Sequence, residues 1–165
     1  MTKSMPPFID AGAQPGTHTK TQDVVPLPSS GERERILTQA VQSLWHRHLA
    51  CRPQRVVCQL FSNSVAIIIE DSVTLPEQFL LANNKTATAQ MARQAIHKFM
   101  KAQLTGLLEQ VLDQKVLVVL SDTALTERCT GITAILSAAP AVRNPNAIPK
   151  HTTKHKPLLT YVPAA

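Results

Sequence analysis

The sequence predicts an α+β domain of order α-β-β-α-β-β, a four-stranded, mainly antiparallel sheet packed by a long helix and an N-terminal helix. Three observations carry that expectation. Apolar residues recur at helical period over residues 36–49 and again over 91–112. Four short runs of β-branched and apolar residues fall into two pairs, with polar residues between the members of each pair. Between Pro76 and Pro140 there is no proline, so a long helix and two strands can form there without a missing donor or a locked φ.

Residues 1–28 mix Pro, Gly, Thr, Gln and Lys with no apolar periodicity, and they read as a disordered arm. Order begins at Ser29, which with Glu32 has the spacing of a capping box. Ile36, Leu37, Ala40, Val41, Leu44, Trp45, His48 and Leu49 then form one helical stripe. Pro53 pushes Arg52 out of the α region, so this helix stops near Cys51. Val56–Phe61 and Val65–Ile69 make a hairpin about Ser62-Asn63-Ser64. Glu70-Asp71-Ser72 closes its second strand.

The next helix starts with Thr74 as N-cap and Glu77 at the third helical position, and Pro76 lies in the first turn where its missing donor costs least. Asn83-Asn84 either interrupts this helix or ends it. The long periodic segment follows, with Met91, Ala95, Phe99, Ala102, Leu107, Leu108, Val111 and Leu112 as the stripe that covers the sheet. Arg93, Lys98 and Lys101 fall elsewhere around the wheel. Val116–Leu120 and Ile132–Leu136 are the last two strands, joined by a polar loop over Ser121–Gly131 in which Asp122 begins the turn. The folded domain is thus expected over residues 29–139, and residues 140–165 as a disordered basic tail.

Hydrophobic residues make up 44% of the chain and aromatic residues 4%, so the core must be aliphatic. The formal net charge of +6 is concentrated at the C-terminal end, where Arg143, Lys150, Lys154 and Lys156 stand without an acid. A nucleic-acid domain usually places its positive charge on the folded face, which makes nucleic acid a poor expectation for this one. The basic run 150–156 lacks aromatic platforms for bases, and association through this tail is the alternative reading. No secretory segment opens the chain, and no apolar run approaches the roughly 20 residues of a membrane span. Three unpaired-looking cysteines, Cys51, Cys58 and Cys129, fit reduced thiols in a cytoplasm.

Catalytic and metal-binding patterns are poorly supplied. His46, His48, Cys51 and Cys58 are the densest group of possible ligands, but His46 and His48 point about 200° apart on a helix. The glycines never cluster into a phosphate loop, and no nucleophile elbow is present. Glu70 and Asp71 alternate across a strand, so they do not act as a pair. These patterns predict a chain that is not an enzyme and needs neither cofactor nor metal. A sensor or enzyme built on Asp122 and Glu77 is the remaining rival.

The ordered part resembles the domain family named for the C component of a Na+-translocating, membrane-potential-generating system, MpsC. Pro53 with Val56-Val57 matches its first hairpin, and Thr74, Glu77 and Leu80 match its second helix start. Arg93 and Leu104 fall along its long helix, and Val116 with Ser121-Asp122 matches its strand end. Cys51-Arg52 and Asp113-Gln114 stand where the family pattern has glycine. The resemblance spans residues 32–137. It implies an accessory protein of a cation- or bicarbonate-linked membrane system. With the missing catalytic groups, it points to an interaction or regulatory domain with a protein partner or a homodimer through an open sheet edge or helix face.

Overall fold

The computed structural model describes residues 26–150. Most of the expected N-terminal arm, and the tail from residue 151 onward with most of its basic run, lie outside the described residues. Helix α1 spans Ser30–Leu49, strands β1 and β2 span Arg55–Phe61 and Ser64–Glu70, and helices α2 and α3 span Leu75–Ala82 and Thr86–Leu112. Strands β3 and β4, Val116–Ala124 and Cys129–Leu136, complete the sheet, and a short 3-10 turn covers Pro145–Ala147. The sheet order is β1-β2-β4-β3, with every neighbouring pair antiparallel. The α+β class and the two-hairpin sheet are as expected.

The capping box at Ser29 forms: its Oγ accepts from Glu32 N at 3.2 Å, and Glu32 Oε2 accepts from Ser29 N at 2.6 Å. The Ser29 backbone N–H first, and after it the Ser29 side chain, hold the Glu32 carboxyl below the usual range. At the other end Ala50 takes φ 49°, a left-handed conformation, and its N–H closes on His46 O. Such a cap suits glycine, since a Cβ costs energy there.

In β1 and β2 the side chains alternate. Val56, Cys58 and Leu60 face inward beside Val65, Ile67 and Ile69, with Ile132, Ala134 and Leu136 of β4 completing the layer. Helix α1 lies over β1 and packs beside α3, which lies over β3. Leu37, Val41, Leu104, Leu108 and Leu112 fill the space between helices and sheet. Among the described residues the core is aliphatic apart from Trp45, Cys58 and Met100. Among the described residues, no helix covers the opposite face of the sheet.

One open alternative is decided, and several expectations change. Asn83-Asn84 ends a helix: α2 stops at Ala82, Asn84 takes φ 58°, and α3 starts afresh at Thr86. The stripe of α3 departs from the predicted one in its N-terminal part, while Leu108 and Leu112 are buried as expected. Met91 is 71% and Phe99 50% exposed, while Ala89, Arg93, Met100, Leu104, Leu108 and Leu112 are buried. Arg93, expected off the stripe, goes inside because α2 supplies a carboxylate for it. The polar loop over 121–131 shrinks to Leu125–Arg128, because Ser121, Thr123 and Thr130 lie on the inward side of extended strands rather than in a turn. Asp122 therefore sits within β3, opposite Gly131, and does not begin the turn.

The chain also stays ordered past Pro140, where a structureless tail was expected. Val142 and Ile148 join the core at 7% and 5% exposure. Three backbone groups tie this segment down: Arg143 N donates to Pro28 O, Ser30 N donates to Asn144 Oδ1, and Ser62 N donates to Pro149 O. Arg33 of α1, itself buried, donates from Nε to Ala141 O and from Nη1 to Val111 O. Proline removes donors without preventing burial, so isolated apolar residues in a Pro-rich segment can still dock.

Candidate functional site

At one end of the sheet, polar groups from five elements converge below α2. The chain leaves β2 at Asp71 in a left-handed conformation, φ 57°, and turns inward through Ser72, Val73 and Thr74, all buried. Thr74 is extended and starts α2, with Pro76 in the first turn. Glu77, one turn on, is 1% exposed. Its Oε2 accepts from Thr74 N at 2.8 Å, from Thr74 Oγ1 at 2.6 Å and from Arg93 Nη2 at 2.6 Å. The same Arg93 nitrogen reaches Ser72 O at 3.3 Å. Three donors on one carboxylate oxygen offset part of the cost of burying its charge, while Glu77 Oε1 and Arg93 Nε and Nη1 are buried without a hydrogen-bond partner among the described residues.

Arg93 is 4% exposed, and its guanidinium is pushed down from the usual range by burial, an effect that the charge of Glu77 opposes. The pair therefore clamps the start of α2 onto α3. Above it, a cleft of about 460 Å³ is walled by Cys51, Arg52, Asp71, Val73, Pro76 and Arg128. Arg128 pairs with Asp71 across its rim. The Cys51 thiol points at Asp71 O, 3.5 Å away, and burial first, then the Asp71 charge, raise its pKa.

A row of hydroxyls runs beside the pair. Ser72 Oγ donates to Arg128 O at 3.3 Å and meets Thr130 Oγ1 at 2.7 Å. Thr130 Oγ1 meets Thr123 Oγ1 at 2.7 Å, and Thr123 Oγ1 meets His97 Nε2 at 2.8 Å. His97 follows Arg93 by one turn of α3. Burial, and after it the Arg93 charge, lower the His97 pKa.

A family model described as Na+-translocating membrane potential-generating system (MpsC) matches residues 29–138, well over half of the chain. The chain belongs to the MpsC family. Neither the curated proteins nor the solved structures contain a match to it. The structure gathers some of the motif positions of this MpsC chain and separates others. Thr74 and Glu77 meet at the ion pair. Leu80 is half-buried, and its carbonyl accepts from Lys85 N where α2 ends. Ser121 lies inward on β3, two residues before Thr123 of the hydroxyl row, while Asp122 faces out and accepts only from Thr123 N. Pro53 is buried in the connection between α1 and β1, apart from the ion pair.

The histidines and cysteines scatter. Cys58 is buried among the inward residues of β1, and burial pushes its thiol up to about 11. His48 packs its ring edge-on to Phe99, with centroids 5.5 Å apart. Among the described residues no three His, Cys, Asp or Glu side chains are grouped to hold a metal ion. Sequence reasoning missed Arg93 as the partner of Glu77, and it missed Ser72, Thr123, Thr130 and His97 altogether. One pattern pointed to Arg93: Ala89, Arg93, Ile96 and Met100 repeat at helical spacing, so Arg93 shares their face. Nothing in the spacing of the hydroxyls shows that they meet.

Proposed function

We propose that this MpsC chain is a non-enzymatic interaction or regulatory domain, accessory to a membrane ion- or bicarbonate-linked system, and that it docks through the uncovered face of its sheet. One observation supports this reading most. On that face Val57 pairs with Ile68, Ile68 with Gly131, and Thr133 lies between Ala66 and Leu120. Ile68 is 43% and Leu120 60% exposed, in a band that continues to Val118 and Leu117. Soluble monomers rarely expose contiguous apolar patches beyond a few hundred Å² unless something binds there. The Arg55–Glu70 pair and Asp122 give the band a charged rim, as interaction surfaces have.

The ion pair supports the non-enzymatic part. Glu77 is committed to Arg93 and Thr74, and Asp122 faces away from it on the outer side of β3, so the two carboxylates do not work on one substrate. No described helix is long and apolar enough to cross a membrane, so contact with a membrane system would go through a partner. A cytoplasmic setting and reduced thiols suit that role; Cys51, Cys58 and Cys129 are all free.

The test is sedimentation of the purified chain, followed by capture of partners from membranes of its host. A homodimer or a membrane-system component is expected with the native chain, and neither with the Ile68→Glu, Leu120→Glu variant. A monomer that captures nothing, or capture untouched by the two substitutions, overturns the reading. Association with nucleic acid through the basic run is the rival. It predicts salt-sensitive RNA or DNA binding that vanishes when residues 151–165 are removed.

A further inference from the structure

The backbone of β3 has an open side, and the pairing of its neighbours fixes which residues face it. Leu136 N donates to Asn63 O, and Ser137 N donates to Lys115 O. Even-numbered residues of β4 therefore bond to β2 and odd-numbered ones to β3. In that register Val118, Leu120 and Asp122 turn their N–H and C=O groups to β4. Val119, Ser121 and Thr123 turn theirs to the outer edge. The same alternation turns Val56, Cys58 and Leu60 of β1 to the opposite edge.

Each edge is closed in part by the chain itself. On β1, Leu60 N donates to Glu34 Oε1 of α1 at 2.9 Å, and just beyond the strand Ser62 N donates to Pro149 O. On β3 the closures stand at the two ends. Val116 N donates to Glu109 Oε1 at 3.0 Å, a register shift interrupts the ladder between Val116 and Val118, and Thr123 N donates to Asp122 Oδ1 at 2.8 Å. Between these closures the N–H groups of Val119 and Ser121 have no acceptor among the described residues. Leu117, Val118 and Leu120 are 63%, 38% and 60% exposed there. Edge strands usually carry Lys, Pro or a covering element that keeps other strands away, and Val116–Ala124 holds neither Lys nor Pro.

We infer that this edge binds a second copy of the chain, β3 against β3, antiparallel and centred on Leu120. The open stretch is its own complement. The interruption before Val118 and the closed amide at Thr123 bracket 118–122, and the two open amides lie symmetrically about Leu120. Val119 N then donates to Ser121 O of the second copy, Ser121 N donates to Val119 O of the second copy, and the two-fold axis repeats both bonds. Leu120 meets Leu120 of the second copy on the uncovered face, as a close pair without hydrogen bonds between them. Antiparallel pairing also sets the exposed Lys115 end of one strand beside the exposed Asp122 and Glu127 end of the other. Parallel pairing would set like charge beside like. The two sheets become one, and their apolar bands join. This inference rests on the interaction reading above and names the partner at one border of that face.

The test is sedimentation equilibrium of the full chain and of Ser121→Pro. Proline at 121 removes an edge donor and no bond to β4, so the monomer keeps its sheet, as edge strands tolerate. The native chain should show a mass that rises with concentration toward the dimer. Ser121→Pro removes one donor from each side of the seam and should weaken association about ten-fold or more, with an unchanged circular dichroism spectrum. A second variant does not depend on tolerance of proline. Opposed residues without hydrogen bonds lie about 4.5 Å apart at Cα, within reach of a disulfide, so Leu120→Cys should form a 120-to-120 link on mild oxidation, read by peptide mapping. A native chain that stays monomeric overturns the inference, as does a dimer that Ser121→Pro leaves intact or a Leu120→Cys dimer without that link. A monomer whose Val119 and Ser121 amides resist hydrogen exchange would mean that residues 1–25 or 151–165 cover the edge instead, and would overturn it too. Capture of a membrane component by a monomeric chain would sink this inference and leave the interaction reading standing.

Discussion

Arg93 and Glu77 meet at 2.6 Å while 16 residues apart, and both are almost wholly buried. The contact joins α2 to α3 across the break at Asn83-Asn84, so the angle between the two helices depends on it. Breaking a buried pair from one side strands the other charge, which costs about 3–5 kcal/mol, whereas replacing both partners by apolar groups is often neutral. Glu77→Gln alone should therefore lower the urea-unfolding free energy by several kcal/mol. The double variant Glu77→Leu, Arg93→Met should recover most of the loss. A single substitution that costs less than about 1 kcal/mol, the level of an exposed pair, would show the pair to be solvated instead.

Ala50 and Asp113 both cap helices in the left-handed conformation, at φ 49° and 52°. The family pattern resembled in the sequence has glycine near each of these points. An L-residue there carries a strain of about 1–2 kcal/mol that glycine lacks, part of which returns as the greater entropy of an unfolded glycine. Ala50→Gly and Asp113→Gly should each stabilise the fold by about 0.5–1 kcal/mol in equilibrium denaturation. A loss of stability on either change would place those residues in another role.

His97 should make stability depend on pH in a definite direction. Its folded pKa is lowered, chiefly by burial, so the unfolded chain takes up a proton first as pH falls. The contribution is fully present above the unfolded value of about 6.5 and is lost as pH drops through the lower folded value. Arg93 adds to the lowering, whereas Asp122 and Glu77 oppose it. Stability measured from pH 7.5 down to 5 should fall in the native chain and fall less in His97→Gln. Parallel curves would remove His97 as the cause.

The segment after Pro140 should carry stability although its composition is that of a tail. Ile148 is 5% exposed and belongs to the main core, and Ser62 N reaches Pro149 O beside it. Ile148→Ala should cost about 2–4 kcal/mol, the range for a buried aliphatic truncation. A change within 0.5 kcal/mol, as at a surface position, would mean that the segment contributes nothing to the fold.

By itself the sequence determined the four strands, their hairpin pairing, the first helix and the capping at Ser29 and Thr74, because each is written in local periodicity or in spacings of three residues. It did not determine which face the N-terminal part of α3 turns inward. Local spacing alone put Met91 and Phe99 inside and Arg93 outside, whereas the cost of burying Arg93 depends on a carboxylate sixteen residues away. Ser72, Thr123, Thr130 and His97 likewise meet only after β4 returns to pair with β2. Periodicity reports which residues share a face, but a buried charge or hydroxyl is stable only where folding brings its partner, and that pairing belongs to the tertiary structure.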